Sequence, residues 1–283
     1  MLEFKPELLL EEVKTIADLK NKAEDFLFEK VVLGIDIYKY SQYPKYEQIF
    51  IPVIFEKIYL VTARNCCDRE QFIFEDYAKT KAEFKNNFIS TGDGGFQIFD
   101  NPIQAMLFAL YFQANVKRFC SGGNTGKIAK KLYKVVDNIE LRYAITTDFI
   151  YKYKNNFYGP AIINNARILS KDSLNRLLID GNTIQWLGKN INGVETLISM
   201  EKSDFLKVNY FKKSDDGLPS YFFNSKGKFK SVDVLKVGMI KAKQNEIDVY
   251  NLHVQAEIKL AVAHHKFDVY VISLGNLNTT GIE

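Results

Sequence analysis

The chain has 283 residues, 47% of them hydrophobic and 25% charged, an ordinary globular composition that excludes disorder, collagen and coiled coil. Its 38 basic residues against 34 acidic ones leave a formal charge of +4. These charges are spread along the whole length, so no nucleic-acid partner is demanded.

Three patternless cysteines, Cys66, Cys67 and Cys120, fit a reducing compartment. The three histidines, His253, His264 and His265, fall near the C-terminus and suggest neither a zinc site nor histidine catalysis in the first two-thirds. At the start of the chain the apolar run Leu8 to Leu10 is flanked by Glu7, Glu11 and Glu12, unlike a signal peptide's uncharged centre. The longer runs Val31 to Ile35 and Ile49 to Phe55 fall short of the roughly 20 residues a membrane helix needs. A cytoplasmic protein without a membrane segment is expected.

Leu10, Val13, Ile16, Leu19 and Ala23 recur at helical spacing and predict a packed helical extension over 7–29. Val31 to Ile37 reads as a buried strand with Asp36 at its C-terminal tip. Two helices are expected over about 45–63 and 68–87, the second amphipathic and half exposed through Phe72, Phe74 or Tyr77, Lys81 and Phe84. Phe88 to Phe99 then reads as a hairpin broken at Gly92, Asp93, Gly94 and Gly95. Asn101 and Pro102 form an N-cap and first turn before an apolar helix over Ile103 to Phe119.

Gly122 to Lys127 imitates a phosphate loop, but only three residues separate its outer glycines and Ile128 replaces the needed Ser or Thr, so a surface loop is expected. Glu140 to Ile145 and Phe149 to Tyr153 read as a strand pair, and Pro160 to Leu169 as a helix opening after Gly159. This order is that of an α+β, ferredoxin-like sheet. From Leu252 to Val262 apolar residues alternate strictly with mostly polar ones, and with Val232 to Ile240 and Phe267 to Leu274 they predict a small β-rich C-terminal appendage. The expected organisation is therefore an N-terminal helical extension (1–29), a main domain (30–200) and the appendage (201–283), joined through the polar segment Lys212 to Ser220.

Asp36 and Asp93 carry the chemistry, because adjacent central strands would bring them to one edge of the sheet, where two carboxylates can hold a pair of divalent cations. Taken singly, Asp36 reads equally as a helix N-cap and Asp93 as a turn residue. With Tyr158, Gly159, Pro160 and Ala161 leading to Arg167, these segments resemble the class III nucleotidyl cyclases. That family shows an Asp-Ile strand end, a Gly-Asp-Gly hairpin and a Tyr-Gly-Pro-Ala helix start, in this order. The resemblance spans about residues 30–200 and makes that span the catalytic domain.

The resemblance implies a homodimer with shared active sites and two Mg²⁺ or Mn²⁺ ions per site. Asp36 and Asp93 would be metal ligands with the carbonyl of Ile37 assisting, and the backbone N–H groups of Tyr40 and Ser41, opening the next helix, would receive the triphosphate. Arg167 would stabilise the transition state, and Arg176 would bind phosphate unless it is an exposed helix-end arginine. Where the family keeps an Asn four residues before the position of Arg167, this chain has Ile163, so Asn164 is expected to serve or the contact is lost, leaving an inactive nucleotide-binding module as the alternative.

The base-selecting positions are Ile89 and Asn156, which match neither the adenine nor the guanine pattern; Asn156 can pair with a pyrimidine edge. On this ground the chain resembles the Pycsar pyrimidine cyclases of bacterial anti-phage systems, whose cyclic nucleotide acts on a separate effector. UTP is expected ahead of CTP because no carboxylate stands near Ile89 or Asn156 to accept from cytosine's amino group, with adenylate cyclase activity a further alternative.

Overall fold

The protein is described by a computed structural model over residues 1, 3–79, 82–123, 127–136, 138–172, 176–190, 199–200, 228–241, 246–261, 267–275 and 281–282. Lys81, the linker Lys212 to Ser220, His264, His265 and the loop at 124–126 lie outside these residues. None of the described helices is long and apolar enough to cross a membrane.

The N-terminal extension is two helices, α1 (Pro6–Glu12) and α2 (Ile16–Glu24), not one. Val13 is extended and Thr15 caps α2 by accepting from the Asp18 N–H at 3.1 Å, since a Thr before a helical run competes for the backbone and starts a new helix. The predicted stripe is not buried: Leu10 and Ile16 are 62% and 76% exposed, and Leu9 packs inward instead.

Strand β1 (Phe28–Ile37) lies within the sheet and is buried on both faces. Helix α3 (Lys45–Arg69) follows as one uninterrupted helix of 25 residues, longer than the first predicted helix. The second predicted helix is replaced by a turn and two short helices, α4 (Glu75–Lys79) and α5 (Ala82–Asn86). It is not half exposed either. Phe74, Tyr77 and Phe84 are buried and stack with Phe99 and Phe108, a long-range aromatic cluster that outweighs local amphipathicity.

The hairpin forms as expected, from β2 (Phe88–Ser90) and β3 (Gly94–Phe99), with Ser90 opposite Gly95. Asn101 caps α6 (Pro102–Cys120) by accepting from the Gln104 N–H at 3.0 Å, and after α7 (Lys127–Tyr133) the chain enters β4 (Leu141–Tyr153). The predicted strand pair here is a single strand. Thr146 and Thr147 are β-branched and buried, and they carry the extended backbone through the expected break. β5 (Asn156–Tyr158) folds back on β4 across a turn at Lys154 and Asn155, both left-handed (φ 48° and 60°).

Helix α8 (Pro160–Lys171), β6 (Leu177–Asp180) and α9 (Gly181–Asn190) follow, then β7 (Ser199–Met200), β8 (Lys228–Lys241), β9 (Glu246–Ala261) and β10 (Phe267–Leu274). The sheet runs β2-β3-β1-β4-β6-β9-β8-β7, with β10 paired to β9. Its first four strands are all antiparallel in the ferredoxin-like order. The C-terminal β region is present, but it joins this sheet, with β6 pairing directly to β9 through Leu178↔Asn251 and Asp180↔Val249. Its alternating side chains, Leu252 and Val254 among them, bury in the main core.

Residues 31, 33, 35 and 37 of β1 face α3 and α6 in that core, whereas Val32 clusters with Ala161 of α8 on the other face. Gly34 lets α8 sit directly on β1, since a Cβ there would stand 2.0 Å from Asn165 Oδ1. Asn165 reciprocates by donating to the carbonyls of Val32 and Ala144 at 2.8 and 3.0 Å.

Candidate active site

Asp36 stands near the end of β1 on the α8 face, opposite Gly94 of β3 on one side and Arg142 of β4 on the other. Asp93 precedes Gly94 at the hairpin tip, and its carbonyl accepts from the Ile37 N–H at 3.3 Å. Strand pairing thus brings the two acids together at one end of the sheet. The turn is permitted by Gly92, whose φ of 98° an L side chain resists.

Arg142 was not singled out by the sequence, yet it organises this end. Its Nε donates to Asp36 Oδ2 at 2.8 Å, its Nη2 makes a second bond to the same oxygen, and its Nη1 donates to the Asp172 carbonyl at 2.6 Å. The available signal was a lone cation in an otherwise apolar strand start, Leu141-Arg142-Tyr143-Ala144. Burial raises the Asp36 carboxyl above its ordinary range, the Arg142 bond and charge oppose this, and the nearby charge of Asp93 adds to the rise.

Arg176 is not an exposed helix-end arginine, and as it stands its guanidinium faces a carboxylate inside the protein. It is 1% exposed, and its Nε donates to Asp172 Oδ1 at 2.9 Å. The Tyr143 N–H donates in turn to the Arg176 carbonyl at 3.2 Å. This buried pair fixes the chain leaving α8, and with it the Asp172 carbonyl that holds Arg142.

Tyr40 and Ser41 open a single 3₁₀ turn (Tyr40–Gln42) behind a left-handed Lys39, not the helix itself, which starts at Lys45 after Pro44. Arg167 and Asn164 are half-buried on α8 outside its buried stripe of Ala161, Asn165, Ile168 and Leu169, with Arg167 Nη1 donating to Asn164 Oδ1 at 3.5 Å. Among the described residues neither bonds to Asp36 or Asp93. Ile163 beside them is 51% exposed.

Ile89 packs against the small apolar cluster of Val32, Ile98, Phe157 and Ala161. Asn156 is exposed, and its Oδ1 accepts from the Phe157 N–H at 2.9 Å. Lys152 and Lys154 lie over the rings of Phe157 and Tyr153.

No group of three or more His, Cys, Asp or Glu able to hold a metal occurs among the described residues. Two carboxylates and a main-chain carbonyl are nevertheless hard oxygen donors of the kind Mg²⁺ and Mn²⁺ take when a substrate's phosphates complete the shell. Both Arg142 bonds go to Asp36 Oδ2, so Oδ1, which has no hydrogen bond among the described residues, is the oxygen of this acid that a divalent ion would take.

No protein-family model matches the chain, and no curated protein matches it. Among solved structures it is similar to the guanylyl cyclase Cya2, at 10% identity over 80% of this chain and 92% of that one, with a TM-score of 0.41. The adenylyl cyclase CyaB from P. aeruginosa matches at 11% identity over 80% and 95%, TM-score 0.40. A dimeric guanylyl cyclase domain of the RhoGC fusion protein from the aquatic fungus Blastocladiella emersonii matches at 10% over 80% and 97%, TM-score 0.39.

Proposed function

We propose that the chain is a divalent-metal-dependent nucleotide cyclase acting on a pyrimidine nucleoside triphosphate, UTP before CTP, which joins the ribose 3′-oxygen to the α-phosphorus and releases pyrophosphate. The observation that carries this reading is the meeting of Asp36 and Asp93 at one sheet end, with the Asp93 main chain bonded to Ile37. Asp36, Asp93 and the carbonyl of Ile37 would hold Mg²⁺ or Mn²⁺, two per site, and the ions would supply a lowered pKa at the attacking hydroxyl and charge compensation for the departing pyrophosphate.

The chain's own residues do the rest. Asp36 and Asp93 supply anionic oxygens, and Arg142 aims Asp36 from the neighbouring strand. The N–H groups of Tyr40 and Ser41, in the turn just past Asp36, receive the triphosphate. Arg167, braced by Asn164, neutralises the pentacoordinate phosphorus. Its lack of contact with the acids of its own chain supports a homodimer in which each site combines acids from one copy with Arg167 from the other. Ile163, which neighbours Arg167 on α8 and is 51% exposed, supports such a covered face.

Base choice follows from two side chains. Ile89 is spent on apolar packing and offers a purine no hydrogen bond. Asn156 has its carbonyl oxygen engaged by Phe157, which leaves its amino group to donate, and uracil presents an acceptor at position 4 where cytosine presents a donor. The resemblance to Pycsar cyclases supports a further step, in which the cyclic product acts on a separate effector in anti-phage defence.

Purified protein incubated with each of the four triphosphates and Mn²⁺ or Mg²⁺ should yield chiefly cyclic UMP and pyrophosphate. Product from ATP alone would overturn the pyrimidine reading, and nucleotide binding without any turnover would assign an inactive binding module instead.

A further inference from the structure

On the far side of the sheet from α8, a cavity of about 420 Å³ lies among α3, α6 and α7, within the roughly 300–1,000 Å³ typical of small-molecule sites. Its floor is apolar: Ile54, Ile58, Phe119 and Leu132 are all buried. Its rim carries Leu60, Val61 and Ile128, which remain 50%, 42% and 62% exposed.

The polar lining is one-sided. No acid lines the cavity among the described residues, and its two charged residues, Lys57 and Arg118, are both cations. The Asn115 amide is turned into the protein, where its Nδ2 donates to Thr62 Oγ1 at 3.1 Å and to the Tyr111 carbonyl at 2.9 Å. Arg118 is tethered through its Nε to the Gly123 carbonyl at 3.4 Å, which keeps it at the wall. Lys57 makes no hydrogen bond or ion pair among the described residues. The adjoining α7 reads Lys-Ile-Ala-Lys-Lys-Leu-Tyr, without an acid.

A cavity with apolar walls and a purely cationic mouth is complementary to a molecule with an apolar tail and one anionic head. We infer that this cavity is a binding site for a long-chain carboxylate, its acyl chain against Ile54, Ile58, Phe119 and Leu132 and its head group at Lys57. The cavity shares no residue with the Asp36–Asp93 end, so the inference stands apart from the proposed catalytic reading.

Isothermal titration calorimetry with dodecanoate below its micelle concentration tests this. The full chain should bind one dodecanoate and should discriminate against dodecyltrimethylammonium, which has the same tail and the opposite head. Ala129→Trp, which fills the cavity from α7, should weaken binding by at least about tenfold, because several methylenes lose their place. Lys57→Glu should weaken it by about three- to fivefold, the scale of one exposed ion pair, and should narrow the discrimination against the cation. Thermal melts of both variants establish that they fold, and Lys57→Glu stands alone should Ala129→Trp fail to do so. Absence of dodecanoate binding, equal binding of the cationic detergent, or binding unchanged in both variants would overturn the inference. So would binding to phosphatidylserine vesicles without binding of monomeric dodecanoate, which would make the patch a membrane-facing surface.

Discussion

Arg142 changes what a substitution at Asp36 does. Two acids facing only each other could be removed at little cost to the fold, since like charges repel. Asp36 instead takes two bonds from a guanidinium that is itself only one-fifth exposed. Asp36→Ala should therefore abolish cyclase turnover and also lower stability by about 1–3 kcal/mol, through the stranded Arg142. Asp93→Ala should abolish turnover with little change in melting temperature, and equal loss of stability in both variants would contradict this account. A second buried acid acts at a distance from the site. Asp180 caps α9, accepting from the Thr183 N–H and hydroxyl at 2.9 and 2.6 Å, and burial pushes its carboxyl up to about 6. A raised folded-state value means that the native state holds the proton more tightly. Stability from this group is therefore complete below about 4 and is lost as pH rises through 6, by on the order of 3 kcal/mol. Urea unfolding of the wild type between pH 4 and 7, set against Asp180→Asn, should show this slope in the first and its absence in the second; parallel curves would refute the assignment.

The elements that were legible are those whose signals are local. The Val31 to Ile37 run, the glycines around Asp93, and Asn101 with Pro102 each specify their own backbone, and the structure has β1, the hairpin and the α6 cap where they point. The misreadings arise where distant residues decide. Residues 70–79 and 82–86 give up a regular helix to bury Phe74, Tyr77 and Phe84. Arg176 differs, because its partner Asp172 is only four positions away and it is the burial of the pair by the surrounding sheet that local spacing does not announce. Of the proposed site, the acids could be read because each ends or turns a strand. Arg142 could not, since its partner is 106 positions away and only the β1–β4 register brings them together. The seat of α8 on β1 gives a test at this scale. Gly34→Ala places a methyl group into Asn165 and Leu169 and should cost about 1–3 kcal/mol, read as a lower urea midpoint with an unchanged slope. A wild-type midpoint would mean that α8 can shift without penalty.

At the scale of the molecule, the separation of Arg167 from the acids of its own chain leads to a complementation test. Chains carrying Asp93→Ala and chains carrying Arg167→Ala should each be inactive. Mixed, they should recover about a quarter of wild-type activity, because half of a random population is mixed dimers with one intact site of two. Silence after mixing, with mixed dimers demonstrated by mass spectrometry, would rule out a shared site. The continuity of the sheet across β6 and β9 bears on something else, the order in which the chain can be completed as it is made. Asp180 meets Val249 sixty-nine positions later, so at about 5–20 residues per second a ribosome leaves the β6 edge without its partner for several seconds. During that interval the half of the molecule carrying Asp36, Asp93 and Arg142 has an open row of backbone donors and acceptors, the part of a nascent sheet most prone to recruit a foreign strand.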